Sequence, residues 1–99
     1  MIYLQLNENY KDFDKLRIKD IHFTQGVDKR LSFIYQVYKK DGSNIIELFS
    51  KTLIITDIAI INQFETYSNP GLSMWDEICT QLIQYIITLG IESGTVEAE

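Results

Sequence analysis

The feature that most constrains this chain is the ten-residue run Arg30–Lys39 and the cluster directly after it. Leu31, Phe33, Tyr35 and Val37 alternate with Ser32, Gln36 and, less cleanly, Ile34 and Tyr38, the period-two pattern of a half-buried strand. Lys40-Asp41-Gly42-Ser43-Asn44 comes next, and Asp-Gly readily supplies the positive φ of a tight hairpin turn. A strand that ends in such a turn must pair with the segment beyond it, so the chain is expected to build an antiparallel sheet.

The neighbouring segments extend that expectation. Met1–Leu6 alternates Ile2, Leu4 and Leu6 against Tyr3 and Gln5 and reads as a first strand; Asn7–Asp14 is polar and reads as a loop. From Lys15 to Thr24, Leu16 and Ile18 share one parity while Ile21 and Phe23 share the other. One bulge near Lys19–Asp20 brings both pairs to one face. Gln25-Gly26-Val27-Asp28 reads as a turn. Ile45–Phe64 is β-branched and apolar enough for two strands, or one long bent one. Ile45–Thr52 is expected to pair back on the Arg30–Lys39 strand, and the nearly continuous Leu53–Ile61 to be central or buried on both faces. A helix from Asp57 to Tyr67 is the competing reading, since Ile58, Ile61 and Phe64 could share a face; β-branching favours the strand.

Ser68-Asn69-Pro70-Gly71 is a breaker cluster, after which Ser73–Leu89 reads as an amphipathic helix. Ser73 suits the N-cap, Asp76 and Glu77 suit the first turn, and Gly90 falls where a C′ glycine belongs. Trp75, Ile78, Leu82, Ile86 and Leu89 form one apolar stripe, widened by Met74 and Tyr85 on one side and by Cys79, Ile83 and Ile87 on the other. That face is wider than one sheet needs. Either the sheet curls around the helix, or the flank carrying Cys79, Ile83 and Ile87, with Trp75, is a subunit contact. The expected fold class is therefore α+β: a twisted antiparallel sheet of four to five strands with one C-terminal amphipathic helix packed on it, residues 1–90, followed by an acidic, mobile tail at 91–99.

Ninety-nine residues, 45% hydrophobic and 23% charged, make one globular domain. One cysteine permits no internal disulfide, and the opening residues have neither a basic n-region nor a long apolar core. A secreted protein with a signal peptide is thus not expected, and a cytoplasmic or virion setting fits better. No apolar run is long enough to span a membrane. Isoleucine occurs sixteen times, alanine and arginine twice each, a bias typical of AT-rich coding and of a low-GC bacterium or its phage. All nine basic residues lie in positions 1–51, which carry seven acidic ones for a net of +2; positions 52–99 carry seven acidic residues and no Lys or Arg, a net of −7.

Catalytic, cofactor and metal signals are weak. His22 is the sole histidine, in a strand on the face opposite Ile21 and Phe23, with no partner in the pattern for nucleophilic catalysis. Cys79 sits beside Asp76 and Glu77, which disfavour a thiolate. Glu8, Asp12 and Asp14 lack the order of a calcium loop, and the five glycines are separated. An enzyme would have to use a carboxylate pair, Asp12 with Asp14 or Asp76 with Glu77, both of which read as exposed. Arg17, Lys19, Lys29, Arg30, Lys39 and Lys40, with Tyr35 and Tyr38, could form a basic and aromatic sheet surface for nucleic acid, against a pI of about 4.7. The expectation is a non-enzymatic structural or assembly subunit without cofactor, acting on itself or other protein subunits as a homo-oligomer or multi-protein assembly. A small phage virion or tail component is a natural instance; the alternative is a small protein-binding adaptor or regulator.

Overall fold

The computed structural model describes residues 1–24, 29–65 and 74–99. The chain is a small α+β fold with five strands and two helices among those residues: β1 (Ile2–Tyr10), β2 (Phe13–Thr24), β3 (Arg30–Asp41), β4 (Asn44–Ile55), α1 (Ile58–Glu65), α2 (Met74–Thr88) and β5 (Gly94–Ala98). The strands form one open sheet in the order β4-β3-β2-β1-β5, antiparallel throughout.

The central ladder obeys the alternation closely. Leu31, Phe33 and Val37 are at most 1% exposed and Tyr35 2%. The register of β2 on β3 shifts between Ile18 and Asp20, so that Leu16, Ile18, Ile21 and Phe23 stand opposite Val37, Tyr35, Phe33 and Leu31 and all turn toward the core. This is the expected bulge. Asp41 pairs with Asn44, and Gly42 opens the two-residue turn at φ 62°. The turn at 25–28, the breaker cluster at 68–71 and the Ser73 cap lie outside the described residues.

Four expectations are corrected. Asn7–Asp14 is not a loop: β1 runs to Tyr10 and β2 starts at Phe13, joined by Lys11 and Asp12, with Lys11 in the left-handed region at φ 58°. An open sheet with one uncovered side accepts polar residues within its strands, so polarity does not mark a break there. Leu53–Ile61 is not a central strand. β4 ends at Ile55 and is an edge strand, with Ile54 57% exposed. Third, the competing helix is the one formed over Ile58–Glu65, residues 66–67 lying outside the described ones: the Asp57 carboxylate accepts a hydrogen bond from the Ala59 amide (3.0 Å), the Asp57 carbonyl takes the Ile61 amide, and this cap outweighs β-branching. Last, the acidic tail is strand β5, paired with β1 from Ile2↔Ala98 to Leu6↔Gly94, so α2 is the second helix and not the last element.

The end of α2 explains how the chain returns to the sheet. The Gly90 amide bonds the Ile87 carbonyl and the Ile91 amide bonds the Ile86 carbonyl, with Gly90 at φ 74°, the two bonds of a Schellman cap. The chain reverses there and enters β5. α2 lies on β1, β2 and β5, and α1 on β3, so one face of the sheet carries the helices and the core while the other carries none of the described helices.

Candidate functional site

The helix flank is the first place to look, and the fold has already used it. Cys79 is 2% exposed and Ile83 0%; with Leu82 and Ile86 they form the buried stripe against the sheet. At about 100° per residue this stripe is turned by about 50° from the one centred on Trp75 and Leu89. Trp75 is 46% and Leu89 52% exposed, and Ile87 is half-buried. The width of the apolar face is thus largely consumed within the chain, leaving Cys79 and Ile83 no surface to offer a neighbour. Burial, then the charge of Asp76, pushes the Cys79 thiol up to about 12, which disfavours the thiolate.

Ile87 also lines a cavity of about 530 Å³ at the end of α2, with Glu8, Tyr10, Gly90, Ile91 and Glu92. The Tyr10 hydroxyl donates to the Glu92 carboxylate; that bond first, and partial burial second, push the phenol up to about 12. The Tyr10 ring meets Phe49 of β4 edge-on at 5.5 Å between centroids.

The uncovered face of the sheet is a polar network. Gln36, 5% exposed, accepts from Arg17 Nε (2.7 Å) and donates to Glu47 (3.0 Å). Lys19 lies 3.6 Å from the same Glu47 carboxylate, and the Ser50 hydroxyl donates to it. The Ser50 and Gln36 hydrogen bonds hold the Glu47 carboxyl below its ordinary value. Asp14 accepts from Gln5 Nε2 (3.1 Å) and from Lys15 (3.2 Å), which outweigh the opposing effect of burial and lower its pKa. Tyr38 stands in the middle at 0% exposed, with no hydrogen-bond partner for its hydroxyl. An unsatisfied buried hydroxyl costs about 1–3 kcal/mol.

The other residues that could carry chemistry are dispersed. Tyr35 and Tyr38 stand on opposite faces of β3, 2% and 0% exposed, so they form no stacking platform for bases. Arg17, Lys19 and Lys40 share the uncovered face, whereas Lys39 lies on the helix side, 4.9 Å from the Phe13 ring centroid. Glu8, Asp12 and Asp14 diverge to the cavity, the turn and the uncovered face. His22 is exposed opposite Ser32, whose hydroxyl reaches the His22 carbonyl and not its ring (3.5 Å). Glu77, expected to be exposed, is 1% exposed. Among the described residues no cluster of His, Cys, Asp and Glu is arranged to hold a metal, and no helix is long and apolar enough to cross a membrane.

What pattern reading missed is the β4 edge. Ile45, Ile46, Leu48 and Ile54 are between 37% and 57% exposed along one twelve-residue strand whose outer side pairs with no described strand. Its apolar density is visible in the sequence, where it reads as the mark of a strand at the sheet centre. Compared with known protein families, with curated proteins and with solved structures, the chain finds no match.

Proposed function

We propose that this chain is a non-enzymatic structural or assembly subunit that works through protein–protein contacts, and that the β4 edge is the contact it offers. The observation that carries the reading is that edge: twelve residues long, without proline, and apolar along both of its faces. Long exposed hydrophobic edges are templates for pairing with another chain, and natural proteins blunt them with charge or cover them. Here the two charged groups on β4 are already engaged, Glu47 with Gln36, Ser50 and Lys19, and Lys51 over the Phe49 ring at 5.1 Å.

Homo-oligomerisation is the favoured form. The +2 half and the −7 half of the sequence give a head-to-tail arrangement an electrostatic bias, and contacts of that type close into rings or run on as tubes. The isoleucine-rich, alanine-poor composition supports a low-GC bacterium or its phage as the source, and a small virion or tail component as the setting, in the virion or the host cytoplasm.

Size-exclusion chromatography with light scattering tests this on the wild type and on Ile46→Lys, which places a charge on the edge at a residue 38% exposed. The expected result is a mass above one chain for the wild type and a folded monomer for the variant. A clean wild-type monomer at high concentration, unchanged at low salt, overturns self-assembly. The second reading, an adaptor or regulator for one protein partner, is favoured by the same edge; it predicts such a monomer together with one stoichiometric partner in a pull-down from the source cell, lost in Ile46→Lys.

A further inference from the structure

The uncovered face holds one donor that the chain leaves unused. Tyr38 is fully buried and its hydroxyl meets no acceptor. The register places Lys15 directly opposite it on β2, and Lys40 lies two residues beyond it on the same face of β3. The Arg17 guanidinium lies 5.4 Å from the centre of its ring. Lys15, Arg17 and Lys40 are thus the cations on this part of the face, and the Glu99 and Asp14 carboxylates also act on the phenol.

Two of the three have carboxylate partners, Lys15 with Asp14 and Lys40 with Glu99. Arg17 has none among the described residues: Nε donates to the neutral Gln36 amide oxygen and Nη1 reaches only the Met1 sulfur at 3.9 Å. A guanidinium fork without a carboxylate, next to a phenol without an acceptor, is the donor set that a planar or tetrahedral oxyanion completes.

We propose that this part of the uncovered face binds a small oxyanion of carboxylate or phosphate type. Arg17 supplies the fork, the Tyr38 hydroxyl and Lys40 supply the remaining donors, and Glu99 is the internal carboxylate that holds Lys40 when the site is empty. Entry requires the Lys40–Glu99 pair to part. Both side chains are about a third exposed, and ion pairs of that kind contribute little to stability, so the contact is readily exchanged. Its effect on Glu99 is consistent: the Lys40 hydrogen bond holds that carboxyl below its ordinary value.

The test is a titration of the isotope-labelled full chain, monitored by amide resonances, with inorganic phosphate in one arm and acetate in the other, against chloride at equal ionic strength. Saturable shifts at Lys15, Arg17, Tyr38 and Lys40 support the site, and the anion that produces them tells phosphate from carboxylate chemistry. Arg17→Gln is expected to weaken binding about tenfold. Tyr38→Phe is expected to weaken it while raising the melting temperature, because the unsatisfied hydroxyl is gone; a merely structural tyrosine would not move the two in opposite directions. Glu99→Gln is expected to tighten it, and Lys51→Gln, on the other face, to leave it unchanged. Shifts no larger than chloride gives in both arms, or wild-type affinity in Arg17→Gln, overturn the proposal.

Discussion

Replacing Ile83 by alanine separates the two roles its position on the helix could have. Ile83 is 0% exposed and sits in the stripe with Cys79, Leu82 and Ile86 against the sheet. The substitution removes three carbons, a transfer loss of about 2.4 kcal/mol at ~0.8 kcal/mol each. The cavity left behind adds to this, because the surrounding strands relax only partly, and buried Ile→Ala changes cost about 2–5 kcal/mol in all. Against a total stability of about 5–15 kcal/mol for a chain of this length, that is a large share. It corresponds to a fall in melting temperature of roughly 15 °C. Urea denaturation monitored by far-ultraviolet circular dichroism, at two protein concentrations about tenfold apart, is the assay. The expected loss is about 3 kcal/mol and the same at both concentrations. A loss below about 1 kcal/mol, or one that appears only at the lower concentration, would refute the placement of Ile83 in the chain's own core and return it to a subunit contact.

Two further outcomes arise from the sheet. A β-carbon at Gly94 would stand 2.0 Å from the Gln5 carbonyl oxygen and 3.0 Å from the Leu6 α-carbon, both backbone, so Gly94→Ala forces β5 away from β1; the expected cost is about 1–3 kcal/mol, with loss of amide exchange protection along β5, and retained protection with an unmoved midpoint would count against the pairing. Burial, reinforced by the Glu99 charge, pushes the Tyr38 phenol up to about 12 from its ordinary value near 10, so the fold resists ionisation that the unfolded chain accepts. Stability from this group is full below about pH 10 and is lost as pH rises through about 12. Urea midpoints measured across that window should fall less in Tyr38→Phe than in the wild type, and identical falls would show that Tyr38 is not the group responsible.

Much of the fold was legible where one face of a strand is buried and the other is not. The alternation in Arg30–Lys39, the Lys19–Asp20 bulge and the Asp41-Gly42 turn each obey a local rule that the tertiary structure does not override. Legibility failed where the deciding fact is which strand comes to lie beside which. Leu53–Ile61 looks central because it is apolar, but whether it is central depends on where β5 goes, and β5 pairs with β1 at the far side of the sheet. The tail looks mobile because it is acidic and lacks basic residues. Its pairing is made by backbone groups from Gly94 to Ala98, with Val96 half-buried against the core, and net charge does not report on either. On α2 the apolar face covers more than half of the wheel, so periodicity alone leaves its centre undetermined. Packing selected Cys79, Leu82, Ile83 and Ile86 and left Trp75 outside.

The candidate site was legible only in its ingredients, and the reason lies in how the two edges of the sheet differ. β5 is five residues long and presents Thr95 and Glu97 as exposed positions, a short, charged edge of the kind that resists pairing. β4 is more than twice as long and keeps apolar side chains exposed on both faces, and its one irregularity, the bulge between Glu47 and Phe49, leaves Leu48 43% exposed. The short edge is built from the acidic half of the sequence, and the long edge mostly from the end of the half that holds every lysine and arginine. The outer side of β4 pairs with no described strand, and a long apolar edge of that kind is a template for pairing. The asymmetry between a short, charged edge and a long, apolar one is what supports the proposal of a contact with another chain at β4.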